Sequence, residues 1–257
     1  MLLMACFPSW FTEYDPYFQD LERILEPPGH EHILGCDGLG RDLYARIVYG
    51  TRHSMVIGTL VSLLTLILPL VISSLILFRH PWLDYLYQTV LDIFLVFPPL
   101  LLAILIASRN QDNSVWDIVL ALTISGWASN GRIIRSYLME EKNRGFVEAA
   151  MAMGASNHRI FWKHMIPNLF SALMVLWTFR VGTMILAEAT LSFLGLGGGP
   201  GLVSWGWLVY EGKSFMSTSW LISLAPASAI ALCVFAFQGL GETLESIFMR
   251  RESHKPG

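Results

Sequence analysis

The chain has 257 residues, of which 54% are hydrophobic and only 14% are charged. Soluble domains carry about 25% charged residues, so we do not expect most of this protein's surface to face water. The formal net charge of -3 is small, and the sequence lacks the long basic run that nucleic-acid binding needs. These features favour a membrane protein and argue against a soluble domain or a nucleic-acid partner.

The first 53 residues are too polar to span a membrane, because they carry eight acidic side chains and four basic ones. We assign residues 1–53 to a segment outside the membrane that ends in an amphipathic helix, Arg41–Arg52. Leu43, Ile47 and Val48 share one face of that helix at helical spacing.

The three cysteines, Cys6, Cys36 and Cys233, have the spacing of neither a zinc site nor a disulfide framework, and we expect inert thiols. His30 and His32 precede Cys36 in the same segment. Two histidines at i and i+2 on a loop are a weak pattern for a metal site, so we assign no metal to this chain.

Five segments are long and apolar enough to cross a membrane, which takes about 20 residues for a hydrocarbon core about 30 Å thick. In chain order they are Ser54–Phe78, Leu83–Ala107, Val115–Ile134, Leu169–Leu196 and Trp220–Phe237. They predict an all-α, multi-pass membrane protein whose membrane domain covers residues 54–250.

The distribution of Lys and Arg orients these spans, because cytoplasmic loops carry an excess of both residues. Most bases fall on one side if residues 136–168, the turn at Arg79 and a tail at residues 251–257 lie in the cytoplasm. Residues 1–53 are then extracytoplasmic.

The loop at residues 136–168 is long for a connection between membrane helices and is rich in helix-forming residues. We predict two short helices, Tyr137–Met153 and Ser156–Met165, that are joined at Gly154, with Pro167 opening the next membrane helix. Such a hairpin would protrude where a soluble partner could push on it.

This loop contains Glu-Ala-Ala at residues 148–150, a glycine at residue 154 and a proline at residue 167. It resembles the EAA loop of bacterial ABC importer permeases, and the spacing matches throughout, although His164 replaces an aliphatic residue and Ile166 a leucine. In that family the loop docks into a groove on a cytoplasmic ATPase. The resemblance therefore implies a coupling role for Glu148, Ala149, Ala150, Gly154, Ala155 and Pro167.

Further segments resemble the dipeptide, oligopeptide and nickel branch of the same family. His32–Asp42 is similar to its H-x-L-G-T-D-x-x-G-R-D pattern, and Leu186–Gly197 to its fifth membrane helix. Family members usually have six spans, and here only Met1–Trp10 corresponds to the first. The resemblance implies a type I ABC importer permease bundle with about five spans and a cytoplasmic EAA coupling loop.

The resemblance also implies the partners. They are a homologous second permease, two cytoplasmic ABC ATPase subunits and an extracytoplasmic substrate-binding protein, assembled in the bacterial cytoplasmic membrane and surrounded by lipid. The sequence has no Walker A pattern, so we expect ATP and magnesium to be bound by the ATPases. We expect no cofactor and no enzymatic activity in this chain.

The substrate is left open by the sequence. Peptides are the leading class, and nickel or a metal chelate is the alternative, because the same family serves both. A standalone channel or secondary carrier is an alternative of a different class, but it would not need the coupling loop.

Four charges in or beside predicted spans, Asp92, Arg132, Arg180 and Glu188, are candidates for the transport path or for structural pairs. Arg180 and Glu188 lie about 80° apart on one helix, so that one face could present both. Arg180 could favour a carboxylate-bearing substrate, although pairing with an acid of the second permease is the favoured interpretation. For Asp92 we favour a pair with Arg132.

Overall fold

The computed structural model describes residues 1–109, 114–197 and 201–253, and within these residues the regular elements are all helices. The expected all-α fold is therefore confirmed. The predicted tail at residues 251–257 lies partly outside the described residues, since the description of the backbone ends at residue 253.

The first long helix, α2, spans Leu43–Ile76 and follows a short helix α1, Leu2–Cys6. Asp42 caps α2, because its Oδ1 accepts the Ala45 N–H at 2.6 Å. The predicted amphipathic helix and the first predicted span are one continuous helix, since no proline separates them. The predicted domain boundary at residues 53 and 54 falls inside it.

The second predicted span is two helices, α3 (Pro81–Val96) and α4 (Pro99–Ala107), whose axes differ by 81°. Two successive prolines cause the break. A residue before proline is pushed out of the helical region, and both Phe97 and Pro98 have extended ψ values, 132° and 123°. The apolar segment predicted over residues 83–107 is therefore a bent pair of helices, broken where Pro98 and Pro99 interrupt it.

The next helix, α5, spans Val115–Lys142 and begins at a capping box formed by Ser114 and Asp117. It runs past the predicted end at residue 134, because residues 135–142 are mostly good helix formers. The first predicted loop helix, Tyr137–Met153, is consequently divided between the end of α5 and a separate helix α6, Gly145–Ala152.

The second predicted loop helix does not stand apart from the following span. A short helix α7 (Asn157–Arg159) continues through a π-helical turn (Ile160–Met165) into α8 (Ile166–Phe193). Pro167 explains the wide turn, because proline in a helix removes one N–H and its ring clashes with the carbonyl four residues earlier. The Ile166 N–H accordingly donates to the Phe161 carbonyl, five residues back.

Two further helices complete the fold, α9 (Trp205–Gly212) and α10 (Leu221–Ser253). Among the described residues, α2, Asn157–Phe193 and Leu221–Phe248 are long and apolar enough to cross a membrane, and the bent pair α3–α4 makes up to four. Helix α5 is long enough to cross a membrane but is too polar to meet the hydropathy criterion. The described residues therefore contain up to four candidate spans, where the sequence predicted five.

The bundle is held by buried clusters at several levels. One of them joins α2, α5 and α8 to the segment between α5 and α8 through residues that include Leu70, Leu138, Val147 and Phe161. Helix α2 is about 50 Å long at 1.5 Å per residue. Features at its two ends are therefore at opposite ends of the molecule.

Candidate functional site

Residues 143–156, which lie between α5 and α7, are called the coupling segment below. One face of its helix α6 is fully buried, because Val147 and Ala150 pack into the cluster formed by α2, α5 and α8. Glu148 and Ala149 lie on the opposite, exposed face. The burial fixes the segment on the bundle while its outer face is left for contact.

Gly154 ends α6 in a left-handed turn with φ +78°. Its N–H donates to the Met151 carbonyl at 2.9 Å, and the Ala155 N–H donates to the Ala150 carbonyl at 3.1 Å. These two bonds form a Schellman motif, which requires a left-handed residue and therefore favours glycine. Nothing lies within 4 Å of a Cβ placed at Gly154, so the requirement is for backbone conformation and not for space.

The outer surface of the coupling segment is apolar beyond Glu148, over residues 149–154. Met153 is 80% exposed and Met151 is 41% exposed, and Ala152 and Gly154 beside them are also exposed. Exposed apolar side chains at the end of a helical bundle are typical of a contact surface, and flexible methionines adapt to a partner. Ala155 is partly buried, and Pro167 lies outside the segment at the exposed start of α8.

A buried acid that the sequence did not indicate, Glu141, anchors the coupling segment. Its side chain is 1% exposed, forms an ion pair with Arg144 at an Nε–Oε2 distance of 3.1 Å and accepts a hydrogen bond from the Asn168 amide. Lys142 beside it donates to the Leu77 carbonyl at 2.8 Å. The ends of α2 and α5 and the start of α8 are thus tied together directly beneath the segment.

Two ion pairs join α3 to α5. Asp92 pairs with Arg132 on the surface of the chain, where both side chains are more than half exposed. Asp84 accepts from Arg135 through both oxygens, at 2.9 Å and 2.6 Å. The second pair was not anticipated, since Asp84 and Arg135 lie 51 residues apart and no local pattern links them.

Glu188 lies at a buried junction and not on a path surface. It is 0% exposed, accepts from Ser192 Oγ at 2.7 Å and lies 3.4 Å from Ser54 Oγ on α2. Ser54 Oγ in turn accepts the Trp205 N–H at 3.1 Å, which brings in the start of α9. Glu188 therefore cross-links three elements inside the subunit.

Arg180, on the same helix as Glu188, has different surroundings, because it borders a cavity that Glu188 does not line. It lines a cavity of about 310 Å³ with Ser125, Ser129 and Thr183. Within the described residues no acidic side chain forms an ion pair or hydrogen bond with its guanidinium. A partly buried cation in a membrane domain either faces a water-filled cavity or pairs with a group of opposite charge.

The opposite end of the bundle is held by a buried charge cluster. Asp37 accepts from Arg41 Nε at 2.7 Å and from Arg46 Nη1 at 2.6 Å, and Arg46 Nη1 also donates to Glu211 at 2.7 Å. These contacts fasten the N-terminal segment and the start of α2 to α9. Nearby, burial and the neighbouring carboxylates of Glu26 and Asp42 raise the pKa of the Cys36 thiol to about 11, so a free Cys36 thiol is neutral.

Comparison with known proteins gives the class of the fold. A chain of the MetNI methionine ABC transporter, in an inward-facing conformation, superposes with a TM-score of 0.64 at 18% sequence identity. The match covers 80% of this chain and 97% of that chain. The fold is therefore that of a type I ABC importer permease.

Curated relatives are similar over nearly the whole chain. A protein of Brucella suis biovar 1 (strain 1330) that is named as a peptide transport system permease is 35% identical over 247 residues, 96% of this chain and 83% of that protein. The oligopeptide transport system permease protein OppC of Bacillus subtilis (strain 168) is 33% identical, over 95% of this chain and 80% of OppC. The glutathione transport system permease protein GsiD of Pectobacterium atrosepticum is 32% identical, over 95% of this chain and 82% of GsiD.

The family is settled by its sequence profile. Residues 66–247 match the family described as "Binding-protein-dependent transport system inner membrane component". The chain belongs to this family and is a multi-pass protein of the inner membrane. The match confirms the family that the EAA loop and the other segments indicated. Members of this family work with ATPase and substrate-binding partners.

Proposed function

We propose that this chain is one permease subunit of an ATP-driven importer and forms half of the translocation path for peptides. The observation that carries this proposal is the coupling segment, whose inner face is buried in the bundle and whose outer face exposes Glu148 together with apolar side chains. A standalone channel or carrier would have no use for such a surface.

The coupling segment is proposed to dock on a cytoplasmic ATPase. Closure of an ATPase pair would push on α6, and the anchor at Glu141 and Asn168 would pass the motion to α5 and α8 as a rigid-body rotation. We assign ATP and magnesium to two ATPase subunits, and a path that opens alternately to each side needs no chemistry from this chain. A homologous second permease would supply the other half of the path.

The other end of the molecule is proposed to face the substrate-binding protein. Residues 1–42, the start of α2 and α9 meet there, at the far end of α2 from the coupling segment. The Lys and Arg asymmetry places the coupling segment in the cytoplasm, so this end would be extracytoplasmic.

The test of the docking role is a gentle-detergent pull-down of the tagged chain from its native membrane, with mass spectrometry of the co-purifying chains. Wild-type protein should recover a second permease and ATPase subunits, and Glu148→Arg should lose the ATPases. Glu245→Arg is the matched control, because Glu245 is an exposed acid near the C-terminal end of α10 and outside the coupling segment. Equal ATPase recovery with wild type and Glu148→Arg would exclude docking at this surface.

Peptides are favoured as substrates by the names of the relatives, which refer to peptides, oligopeptides and glutathione. Nickel or a metal chelate is the alternative within the same family. Uptake of labelled short peptides and of labelled nickel, measured side by side in cells with and without the intact chain, separates the two. Dependence of nickel uptake alone on the chain would overturn the peptide assignment.

Arg180 is proposed to find its partner outside this subunit, either in an acid of the second permease or in a substrate carboxylate. Arg180→Gln distinguishes the two when uptake is measured for matched substrates with a free and an amidated carboxyl terminus. Selective loss of the free-carboxylate substrate supports a role in the path. Equal loss for both supports pairing with the second permease.

A further inference from the structure

Three side chains that can bind a metal converge at the N-terminal end of the bundle, far from the coupling segment. A carboxylate oxygen of Glu26, a ring nitrogen of His32 and the sulfur of Cys36 all lie within 4.8 Å of one another. His32 and Cys36 are buried and Glu26 is partly buried. His30, which the sequence offered as a candidate beside His32, is exposed and does not belong to the group.

Backbone contacts hold these residues together whether or not an ion is present. The Cys36 N–H donates to the Glu26 carbonyl at 2.9 Å, and the Leu25 N–H donates to the Asp37 carbonyl at 3.1 Å. Gly35 has φ +76°, and a Cβ there would lie 2.3 Å from the Glu26 carbonyl oxygen. The loop can close on itself in this way only because residue 35 is glycine.

The His32 ring is oriented by a buried carboxylate. Its Nδ1 lies 2.7 Å from Asp42 Oδ2, while the other oxygen of Asp42 caps α2 through the Ala45 N–H. The Tyr14 ring packs against the imidazole with centroids 4.9 Å apart. A carboxylate on one imidazole nitrogen is the usual partner of a metal-binding histidine, and it leaves Nε2 available for a ligand.

We propose that Glu26, His32 and Cys36 bind a zinc ion, with water in the fourth position, and that the ion fastens the loop at residues 26–36 to the start of α2. One sulfur, one nitrogen and one oxygen ligand suit zinc, whereas calcium and magnesium take oxygen ligands. The family pattern over His32–Asp42 has threonine at the position of Cys36, so the sulfur ligand distinguishes this chain. The site is independent of the coupling segment and of the identity of the transported substrate.

The test measures zinc and cobalt binding by the purified full-length protein in detergent, after a chelator has removed bound metal. Wild-type protein should bind zinc, and cobalt should produce the thiolate-to-metal charge-transfer absorption that reports a cysteine ligand. Cys36→Thr, which restores the family residue, should abolish this absorption and weaken zinc binding by at least about tenfold. Cys233→Thr, at a buried cysteine of α10, is the matched control and should leave both readouts unchanged.

Glu26→Gln provides a second variant that keeps the thiol and does not disturb a fully buried position. It should retain the charge-transfer absorption but weaken zinc binding by about tenfold. Each protein must first elute as a single species in size-exclusion chromatography. If Cys36→Thr does not elute in this way, zinc binding by Glu26→Gln decides whether the site exists. Wild-type protein that binds neither metal, or variants that bind zinc as tightly as wild type, would overturn the site.

Discussion

Glycine is favoured at residue 154 of the coupling segment by the backbone conformation and not by a lack of space for a side chain. Its left-handed conformation ends α6, yet open space surrounds the position where a side chain would stand. The EAA pattern predicts a glycine here and a turn, but not the Schellman bonds that require it. The role of Glu141, unlike the turn at Gly154, could not be predicted from the sequence. Its partner Asn168 lies 27 residues away, and no local sequence pattern indicates the contact.

Replacement of Gly154 should depend on the backbone preference of the new residue. Gly154→Val should strain the turn by about 1–2 kcal/mol, because a left-handed conformation places Cβ near the following carbonyl. Gly154→Asn should be tolerated better, since asparagine adopts this conformation more readily. The measurement is substrate-stimulated ATP hydrolysis by the assembled complex, with loss expected for the valine variant and activity near wild type for asparagine. Equal activity of both variants would mean that the turn does not matter for coupling.

Helix existence was easier to predict than helix ends. The apolar pattern located α2, α5, α8 and α10, but α2 and α5 extend well beyond the segments that are apolar enough for a membrane. A change between amphipathic and apolar sequence does not stop a helix, and α2 continues through Gly50, because one glycine inside a helix costs only about 1 kcal/mol. The break between α3 and α4, by contrast, follows from Pro98 and Pro99, whose effect on the preceding residues is local.

The junction of α5 and α8 offers a matched pair of neighbouring acids. Glu141 is 1% exposed and bonded to Arg144 and Asn168, whereas the Glu140 side chain is 73% exposed. Glu141→Gln should destabilise the complex by about 1.5–3 kcal/mol, the range for hydrogen bonds to charged groups. Glu140→Gln should leave stability almost unchanged. Thermal unfolding of the purified complexes measures the difference, and equal midpoints would show that Glu141 does not anchor the coupling segment.

The length of α2 separates the two functional surfaces of the subunit. A helix of about 50 Å exceeds the hydrocarbon thickness of about 30 Å, so both ends of α2 are expected to leave the membrane core. One end carries the buried cluster of Asp37, Arg41, Arg46 and Glu211, and the other carries the coupling segment. The sequence predicted the two surfaces from charge and motif, but not the contacts of Arg41 and Arg46 with Glu211, which join residues 165 or more positions apart.

The most direct measurement is thiol crosslinking in the native membrane from Met153→Cys, in a chain whose exposed Cys6 has been replaced by serine. Crosslinked partners are identified by mass spectrometry, and Glu13→Cys, at an exposed position of the N-terminal segment, is the control from the opposite end. We expect Met153→Cys to capture an ATPase subunit and Glu13→Cys to capture none. Capture of an ATPase from Glu13→Cys, or of no ATPase from Met153→Cys in an assembled complex, would contradict the proposal that the coupling segment is the docking surface.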